Sequence, residues 1–175
     1  MKYGYETLSA GPLASPEAIT RLAKHGEALG FEVVNVGDHI VIPNNIESPY
    51  PYTESGKPAI EWTHEEGSGS GLFFDQITTL TYVAAHTSKT RLLTSVMVVP
   101  YRDPVVTAKA LATLDVLSHG RLLVGCGVGW MSEEFEALER PSFKERGAVT
   151  NEYIEVFKEL WTLFGQQEIL KQEDS

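Results

Sequence analysis

The central part of the chain has the pattern of a strand, a helix and a second strand. An almost unbroken apolar run at residues 92–99 is typical of a parallel strand covered on both faces. Pro100 and Pro104 end that strand and begin a helical pattern, and a second strand follows at residues 121–124. Parallel strands need a crossover connection of this kind, so the segment predicts a βαβ unit.

Glycines occupy every second position directly after the second of these strands. Gly125, Gly127 and Gly129 leave one face of the strand end without side chains, so a flat ligand could approach the backbone closely. The alternative is that these glycines only allow tight packing or a bend. Cys126, between them, is expected to be a small buried thiol rather than a nucleophile.

Composition limits the class of protein. A length of 175 residues is enough for one domain with a sizeable core. The formal charge of −10 makes the chain too acidic for a nucleic-acid partner to be expected. The single cysteine excludes an internal disulfide, and the sequence shows neither a signal peptide nor a long apolar span. A soluble, cytoplasmic, single-domain protein with no membrane partner is predicted for residues 1–175.

Four strand–helix units follow one another along the chain. The predicted strands lie at residues 2–8, 31–36, 92–99 and 121–124, and the predicted helices at 16–29, 73–85, 104–117 and 146–164. No hairpin interrupts the series, which indicates a parallel sheet with right-handed crossovers. A long loop at about residues 43–71 lacks any apolar period and is expected to be functional or disordered.

Two α/β architectures fit a parallel sheet of this order. A doubly wound sheet carries its phosphate-binding glycines directly after the first strand, whereas here the glycines follow the fourth strand. A TIM-barrel type of sheet is therefore favoured. Since a complete eight-stranded barrel usually needs about 250 residues, the chain corresponds to the first four βα units of one.

Several short motifs, in their order and spacing, resemble the bacterial luciferase-like superfamily. They are Gly-Asp-His at 37–39, Thr-Ser-Val at 94–96, Ala-Thr-Leu-Asp-Val-Leu-Ser at 112–118 and Gly-Arg-Leu-Leu-Val-Gly-Cys-Gly-Val-Gly-Trp at 120–130. The resemblance extends over about residues 1–161. That superfamily comprises FMN-dependent monooxygenases and oxidoreductases that use the deazaflavin F420, and its fold is a TIM barrel, in agreement with the architecture favoured above.

The resemblance implies roles for the two residues after the second strand. Asp38 and His39 match a pair that lies beside the cofactor ring in the deazaflavin branch, with His39 as the proposed catalytic residue. A histidine can serve as acid or base near neutral pH, and the carboxyl end of a barrel strand is where such sites form. Without the resemblance, the alternative interpretation is that Asp38 is a loop or helix-cap carboxylate and His39 a partly exposed loop residue.

The resemblance also implies a support for the cofactor ring. Ser95 and Val96 match the position of a non-prolyl cis peptide, which forms a bulge under the ring. The alternative for Ser95 is a side chain that points into the barrel and bonds a neighbouring backbone group. Gly127, Val128 and Gly129 are expected to contribute backbone contacts to the other edge of the ring.

One departure from the deazaflavin branch concerns the substrate. Trp130 stands where a sugar-phosphate dehydrogenase of that branch has an acidic catalytic group, which argues against that reaction. Trp130 is instead predicted to line the substrate pocket as an aromatic wall for an apolar or planar molecule, or to be a core residue. Glu133 and Glu134 are expected to be solvated carboxylates at a helix start. Arg102 is expected to form a surface ion pair, and the alternative is that it meets a phosphate or the anionic tail of the cofactor.

The sequence thus predicts an oxidoreductase or monooxygenase that uses F420 or FMN to oxidise a small organic substrate, with F420 slightly favoured. The alternative is a non-catalytic half-barrel that binds flavin weakly or associates with itself, and a homodimer is expected because two copies could complete a barrel. No metal is predicted, since His64, Glu65 and Glu66 have no second ligand pair at a plausible spacing.

Overall fold

The computed structural model describes residues 3–43, 45–56 and 73–173 and shows strands alternating with helices. The strands are β1 (Gly4–Glu6), β2 (Val33–Val36), β3 (Arg91–Val98) and β4 (Leu122–Gly127). The α-helices are α1 (Pro16–Ala28), α2 (Gln76–His86), α3 (Pro104–Leu117), α4 (Ser132–Ala137) and α5 (Arg146–Glu173). Single 3-10 turns at Val99–Tyr101 and Phe143–Glu145 precede α3 and α5.

The four strands form one parallel sheet in the order β1-β2-β3-β4. This confirms the predicted α/β class and the parallel pairing of consecutive strands. Every connection between neighbouring strands contains a helix, as a parallel sheet requires. All the strand ends that carry the candidate residues therefore lie at one edge of the sheet.

The main core lies between the sheet and the helices. One cluster of buried side chains joins α1, β2, α2, β3 and α3, and it consists of Ile19, Ala23, Val34, Val36, Leu80, Val83, Ala84, Leu92 and Leu114. A second cluster joins β3, α3 and α5 through Met97, Val99, Ala108, Leu111 and Phe157. Along β2, buried residues alternate with half-buried ones, so the helix-facing side is the covered side in the described part of the chain.

Caps explain where the helices begin. Asp103 precedes α3 and accepts hydrogen bonds from the amides of Val105 and Val106, each at 3.0 Å, and Pro104 follows it. The predicted bounds of α3 are confirmed to the residue. Helix α2 begins three residues later than predicted because the Asp75 side chain caps it.

Strands β3 and β4 differ from the prediction at their carboxyl ends. The register between them shifts at a bulge between Thr94 and Met97, and the Ser95–Val96 peptide is cis, as predicted. Beyond the bulge the ladder continues, with Met97 opposite Cys126. β4 therefore ends three residues later than predicted, at Gly127. Cys126 is exposed, so the expectation of a buried thiol was wrong.

Part of the predicted long loop lies outside the described residues. This holds for positions 57–72, which include His64, Glu65, Glu66 and the glycine- and serine-rich segment at 67–71. The described portion at residues 45–56 contains turns. Across the ranges that the structure describes, no helix combines the length and the apolar character needed to cross a membrane.

Candidate active site

The carboxylate of Asp38 joins the carboxyl ends of β2 and β3. It has no exposed side-chain surface, and it accepts a hydrogen bond of 2.8 Å from the Val98 amide. The guanidinium of Arg102 donates to both of its oxygens, each at 2.8 Å. Such a bidentate pair fixes orientation as well as distance. Asp38 therefore holds the backbone just beyond the bulge, and its predicted contact with a cofactor stays a prediction.

Arg102 carries more than the expected surface ion pair. Its side chain is only 15% exposed, and it also donates to Asp75 at 3.0 Å. Burial opposes its charge, but the hydrogen bonds and negative charges of Asp38 and Asp75 raise the pKa of Arg102 above its usual value. The expectation was wrong because both carboxylates come from distant parts of the chain.

His39 and Glu134 form a buried dyad. Nδ1 of His39 lies 2.7 Å from Oε2 of Glu134, whose side chain has no exposed surface. The other carboxylate oxygen, Oε1, accepts from the amides of Ile40 at 2.7 Å and Val41 at 3.1 Å. The expectation of a solvated Glu134 was wrong: this carboxylate is buried because two backbone donors and the His39 ring, all after β2, converge on it.

Tyr101 and Phe73 enclose this dyad. The Tyr101 side chain is buried, and burial together with the negative charge of Glu134 raises the pKa of its hydroxyl. That hydroxyl makes no well-formed hydrogen bond to any described residue. The Phe73 ring meets the His39 ring edge-on at a centroid distance of 5.3 Å. The imidazole is thus held by a carboxylate on one side and a ring on another.

Ser95 and Val96 lie exposed at the bulge of β3. Val96 is 45% exposed, and Val128 on the neighbouring segment is 41% exposed. The Ser95 hydroxyl bonds to no described backbone group, so the alternative in which it pairs inside the barrel was wrong. We call Ser95, Val96, Gly127 and Val128 the bulge ledge. It offers a partly apolar surface at the carboxyl edge of the sheet.

The alternating glycines allow β4 to approach this bulge. A Cβ at Gly125 would collide with the Thr94 carbonyl oxygen, and one at Gly127 would lie 2.5 Å from Cγ2 of Val96. Backbone cannot give way to a contact this short without a shift of the strand, so glycine is required at position 125, whereas a side chain at position 127 would have to displace the exposed Val96 side chain. Close packing, the alternative left open by the sequence, accounts for these two glycines. Their predicted backbone contacts to a ring stay a prediction.

A second set of contacts ties residues 45–56 to the start of α4. One oxygen of Glu133 accepts from the amides of Glu47 and Ser48, each at 2.8 Å. Burial of the carboxylate is outweighed by hydrogen bonds from its own amide and from this segment, which lower the pKa of Glu133 to about 2. The expectation of a freely solvated Glu133 was wrong, because this carboxylate accepts hydrogen bonds from the backbone of a distant loop.

Trp130 belongs to the same assembly. Its ring meets the ring of Tyr50 edge-on at 5.2 Å, and Tyr50 meets Tyr52 at 5.3 Å. Trp130 is half-buried, in contrast to the alternative in which it belongs to the core. Its place in a substrate pocket stays a prediction.

The structure brings most of the predicted residues to one edge of the sheet. Asp38 and His39 follow β2, Ser95 and Val96 lie at the end of β3, and residues 127–130 end and follow β4. In barrels of parallel strands this edge is where active sites form. No cluster of three or more potential metal ligands occurs among the residues with described positions.

Sequence reasoning missed Glu134, Tyr101 and Arg102 as parts of the site. The available signal for Glu134 was its position between Met131 and Phe135, both of which are buried. A carboxylate on an apolar helix face needs partners. No signal in the sequence identified which partners these would be.

Comparison with known proteins places the chain among related sequences. A family model described as luciferase-like monooxygenase matches residues 2–170. An uncharacterized protein of Mycobacterium tuberculosis (strain ATCC 25618 / H37Rv) is 33% identical over 163 residues, covering 93% of this chain and 54% of the relative. An F420-dependent glucose-6-phosphate dehydrogenase of Amycolatopsis mediterranei is 30% identical over 165 residues, covering 93% of this chain and 42% of that enzyme.

Solved structures show the same fold. The crystal structure of the monooxygenase RslO1 from Streptomyces bottropensis has a TM-score of 0.67 and 29% identity, covering 92% of this chain and 43% of that one. An F420-dependent secondary alcohol dehydrogenase, at 21% identity, has a TM-score of 0.65. The chain thus spans about half, or less, of the length of these relatives.

Proposed function

Because the chain belongs to the luciferase-like monooxygenase family, we propose that its site serves an oxidoreductase that uses F420 or FMN on a small organic substrate. The observation that carries this proposal is the placement of the His39–Glu134 dyad and the bulge ledge at the same edge of the sheet. A relative named as F420-dependent supports F420, and FMN is bound in the structure of a monooxygenase with the same fold. The activity of the whole protein is part of the proposal.

The bulge ledge fits the flat ring of such a cofactor. Val96 and Val128 are exposed apolar side chains, and Gly127 keeps the surface beside Val96 free of a further side chain. An isoalloxazine or deazaflavin ring buries its faces against surfaces of this kind. When bound, the ring supplies the redox chemistry, and the chain supplies position and the exclusion of water.

The residues around the ledge then have distinct tasks. His39 holds or accepts a proton beside the reacting atoms. Asp38 acts through the Val98 amide and keeps the backbone after the bulge in place. Trp130, packed on Tyr50, forms the aromatic wall of a pocket for a planar or apolar substrate. Because Trp130 cannot transfer a proton, His39 is the group in this set that does so.

F420 is the favoured cofactor of the two. The Asp-His pair and the Gly-Val-Gly-Trp segment support this choice, as do several F420-dependent relatives at about 30% identity. Residue 130 argues against sugar phosphate as the substrate, because tryptophan offers neither a charge nor a carboxylate to that molecule.

A titration with matched variants tests the proposal. Purified protein is titrated with F420 and with FMN, and binding is followed by absorbance and fluorescence. We expect saturable binding of one cofactor, weakened at least tenfold in Val96→Asp, which places a charge on the ledge. Val116→Asp is the control, because Val116 is exposed near the end of α3, at the opposite edge of the sheet from the ledge. Absence of saturable binding, or equal weakening by both variants, contradicts the proposal.

A second candidate function is a self-associating half-barrel without catalytic activity. It is favoured by one observation: within the described residues, β1 and β4 each pair with a strand on one side only. Unpaired strand edges are templates for another chain. Sedimentation over a range of concentrations tests this, with a homodimer that binds neither F420 nor FMN as the expected result. A monomer at all concentrations contradicts self-association.

A further inference from the structure

We propose that Glu134 is a positioning residue that fixes His39 in one tautomer, with the proton on Nδ1 and the proton-accepting lone pair on Nε2. The assignment of the tautomer stands on the geometry of the dyad alone. Its consequence for catalysis rests on the function proposed above, in which His39 exchanges a proton with the substrate or the cofactor.

A short hydrogen bond joins His39 and Glu134. Nδ1 of His39 and Oε2 of Glu134 are 2.7 Å apart, a distance typical of a charge-assisted hydrogen bond. An ionised carboxylate can only accept, so the imidazole nitrogen must donate. A neutral imidazole carries one proton, and a proton on Nδ1 leaves Nε2 as the acceptor.

The Glu134 carboxylate has no freedom to turn away from the His39 ring. Its Oε1 accepts from the amides of Ile40 and Val41, and both of these residues follow His39 directly in the chain. The carboxylate plane is therefore set by two backbone donors, and this leaves Oε2 facing the ring. One buried side chain thus fixes the backbone after β2 and the proton position of the histidine together.

The Phe73 ring restrains the His39 imidazole. The edge-on contact of His39 with Phe73 limits rotation of the imidazole, so that Nδ1 stays on the Glu134 side. The side chain of Glu134 has no solvent exposure and that of His39 only 11%. With water largely excluded from the Nδ1 side, the carboxylate is the acceptor that this nitrogen has there.

The wild-type protein gives the first test. Nitrogen-15 NMR of histidine-labelled protein distinguishes protonated from unprotonated ring nitrogens, and the variant His39→Asn assigns the His39 signals by difference. We expect a protonated Nδ1 and an unprotonated Nε2 when the ring is neutral. A neutral ring with its proton on Nε2 overturns the proposal, and this experiment needs no cofactor.

The variant Glu134→Gln gives the second test. Its amide oxygen can keep the two bonds to the amides of Ile40 and Val41, which turns its NH₂ group toward Nδ1. Because Nδ1 must then accept, the proton moves to Nε2, and we expect the NMR pattern of His39 to reverse. Retention of the proton on Nδ1 in a folded Glu134→Gln overturns the proposal.

Glu133→Gln is the matched control, since it is the adjacent carboxylate on α4 and bonds to Glu47 and Ser48 instead. We expect it to leave the His39 signals unchanged, and a reversed pattern in this variant also overturns the proposal. If Glu134→Gln does not fold, the wild-type spectrum decides the assignment by itself.

Measurements of kcat and of cofactor affinity distinguish failure of the tautomer assignment from failure of the proposed function. Where the wild-type protein binds its cofactor and turns over, we expect Glu134→Gln to lower kcat roughly 100-fold or more, because a histidine in the wrong tautomer cannot accept a proton at Nε2. Cofactor affinity is expected to stay within about twofold. An unchanged kcat in a variant with the reversed tautomer overturns the catalytic consequence. A wild type that binds no cofactor contradicts the proposed function and leaves the tautomer assignment to the NMR result.

Discussion

Arg102 holds both carboxylate oxygens of Asp38, each at 2.8 Å, although 64 residues separate the two in the chain. The same carboxylate accepts from the Val98 amide, so the ion pair lies directly beside the bulge of β3. Asp38 is also the residue before His39. The geometry of the ledge and the path of the chain into the dyad therefore depend on one buried charge pair.

Removal of the arginine is expected to destabilise the protein strongly. Arg102→Ala leaves the Asp38 carboxylate buried with one backbone donor, and breaking a buried pair in this way costs about 3 kcal/mol in free energy of unfolding. Urea unfolding at pH 7 measures this loss. The double variant Asp38→Asn with Arg102→Ala should recover part of it, because the unpaired charge is then gone.

Lys158→Ala is the control for this experiment. Lys158 donates to Glu155 at 2.8 Å, but both side chains are more than half exposed. An exposed pair contributes little, so the change in unfolding free energy should stay within about 0.5 kcal/mol. If Arg102→Ala and Lys158→Ala lower the unfolding free energy by similar amounts, the buried ion pair contributes no more to stability than the exposed one.

Local signals predicted the fold well because they act over a few residues. The start of α3 follows from the Asp103 cap and the proline after it, and both can be read from the sequence. The length of β4 could not be read in the same way. Its glycines are poor strand formers, and they extend the ladder only because the bulged β3 lies beside them.

The candidate site was predicted in part for the same reason. Residues at strand ends, such as His39 and Val96, can be placed from the order of strands and helices. Glu134 and Arg102 could not, because their burial depends on partners 64 to 95 positions away. A charged residue near a helix start is usually solvated, and only the tertiary structure shows otherwise.

A carboxylate at the opposite end of the fold predicts a pH dependence of stability. Glu27, near the end of α1, accepts hydrogen bonds from the amides of Ser88, Lys89 and Thr90 in the turn before β3. Its partial burial is outweighed by these bonds, which lower the pKa of Glu27 to about 2 from its ordinary value of 4.5.

Since the folded pKa lies below the unfolded one, the stabilisation by Glu27 is present above about pH 4.5 and is lost as the pH falls toward 2. At pH 7, Glu27→Gln should cost about 1 kcal/mol, less than the full shift implies because the carboxylate is partly open to water. Urea unfolding at pH 7 and pH 3 should show a smaller difference from wild type at the lower pH. An equal difference at both values would contradict this role, and Glu159→Gln, on an exposed face of α5, should have little effect at either pH.

The hydrogen bonds from the amides of residues 47–48 to Glu133 are expected to limit the mobility of that segment. Glu133→Ala removes the acceptor for two amides, so hydrogen exchange at Glu47 and Ser48 should become faster. Exchange followed by mass spectrometry on a peptide covering these residues measures the change. Glu136→Ala serves as the control, because Glu136 is an exposed carboxylate on the same helix. Unchanged exchange in Glu133→Ala would show that other contacts, such as that of Tyr50 with Trp130, hold the segment.

Gly129, which lies between β4 and α4, is expected to tolerate substitution poorly. Its φ of +79° lies in the left-handed region, and an added Cβ would come within 2.8 Å of Val98 and 2.9 Å of Phe135. Gly129→Ala combines backbone strain of about 1–2 kcal/mol with overpacking of about 1–3 kcal/mol, and should lower the unfolding free energy by at least 2 kcal/mol. Gly147→Ala is the matched control, since Gly147 lies in α5 with open space around it, and this change should be neutral or stabilising by up to about 1 kcal/mol. Thermal unfolding of both variants decides the point: a Gly129→Ala protein as stable as Gly147→Ala would mean that the segment between β4 and α4 can rearrange, and that the path of the chain from the ledge to Glu134 is not fixed by this glycine.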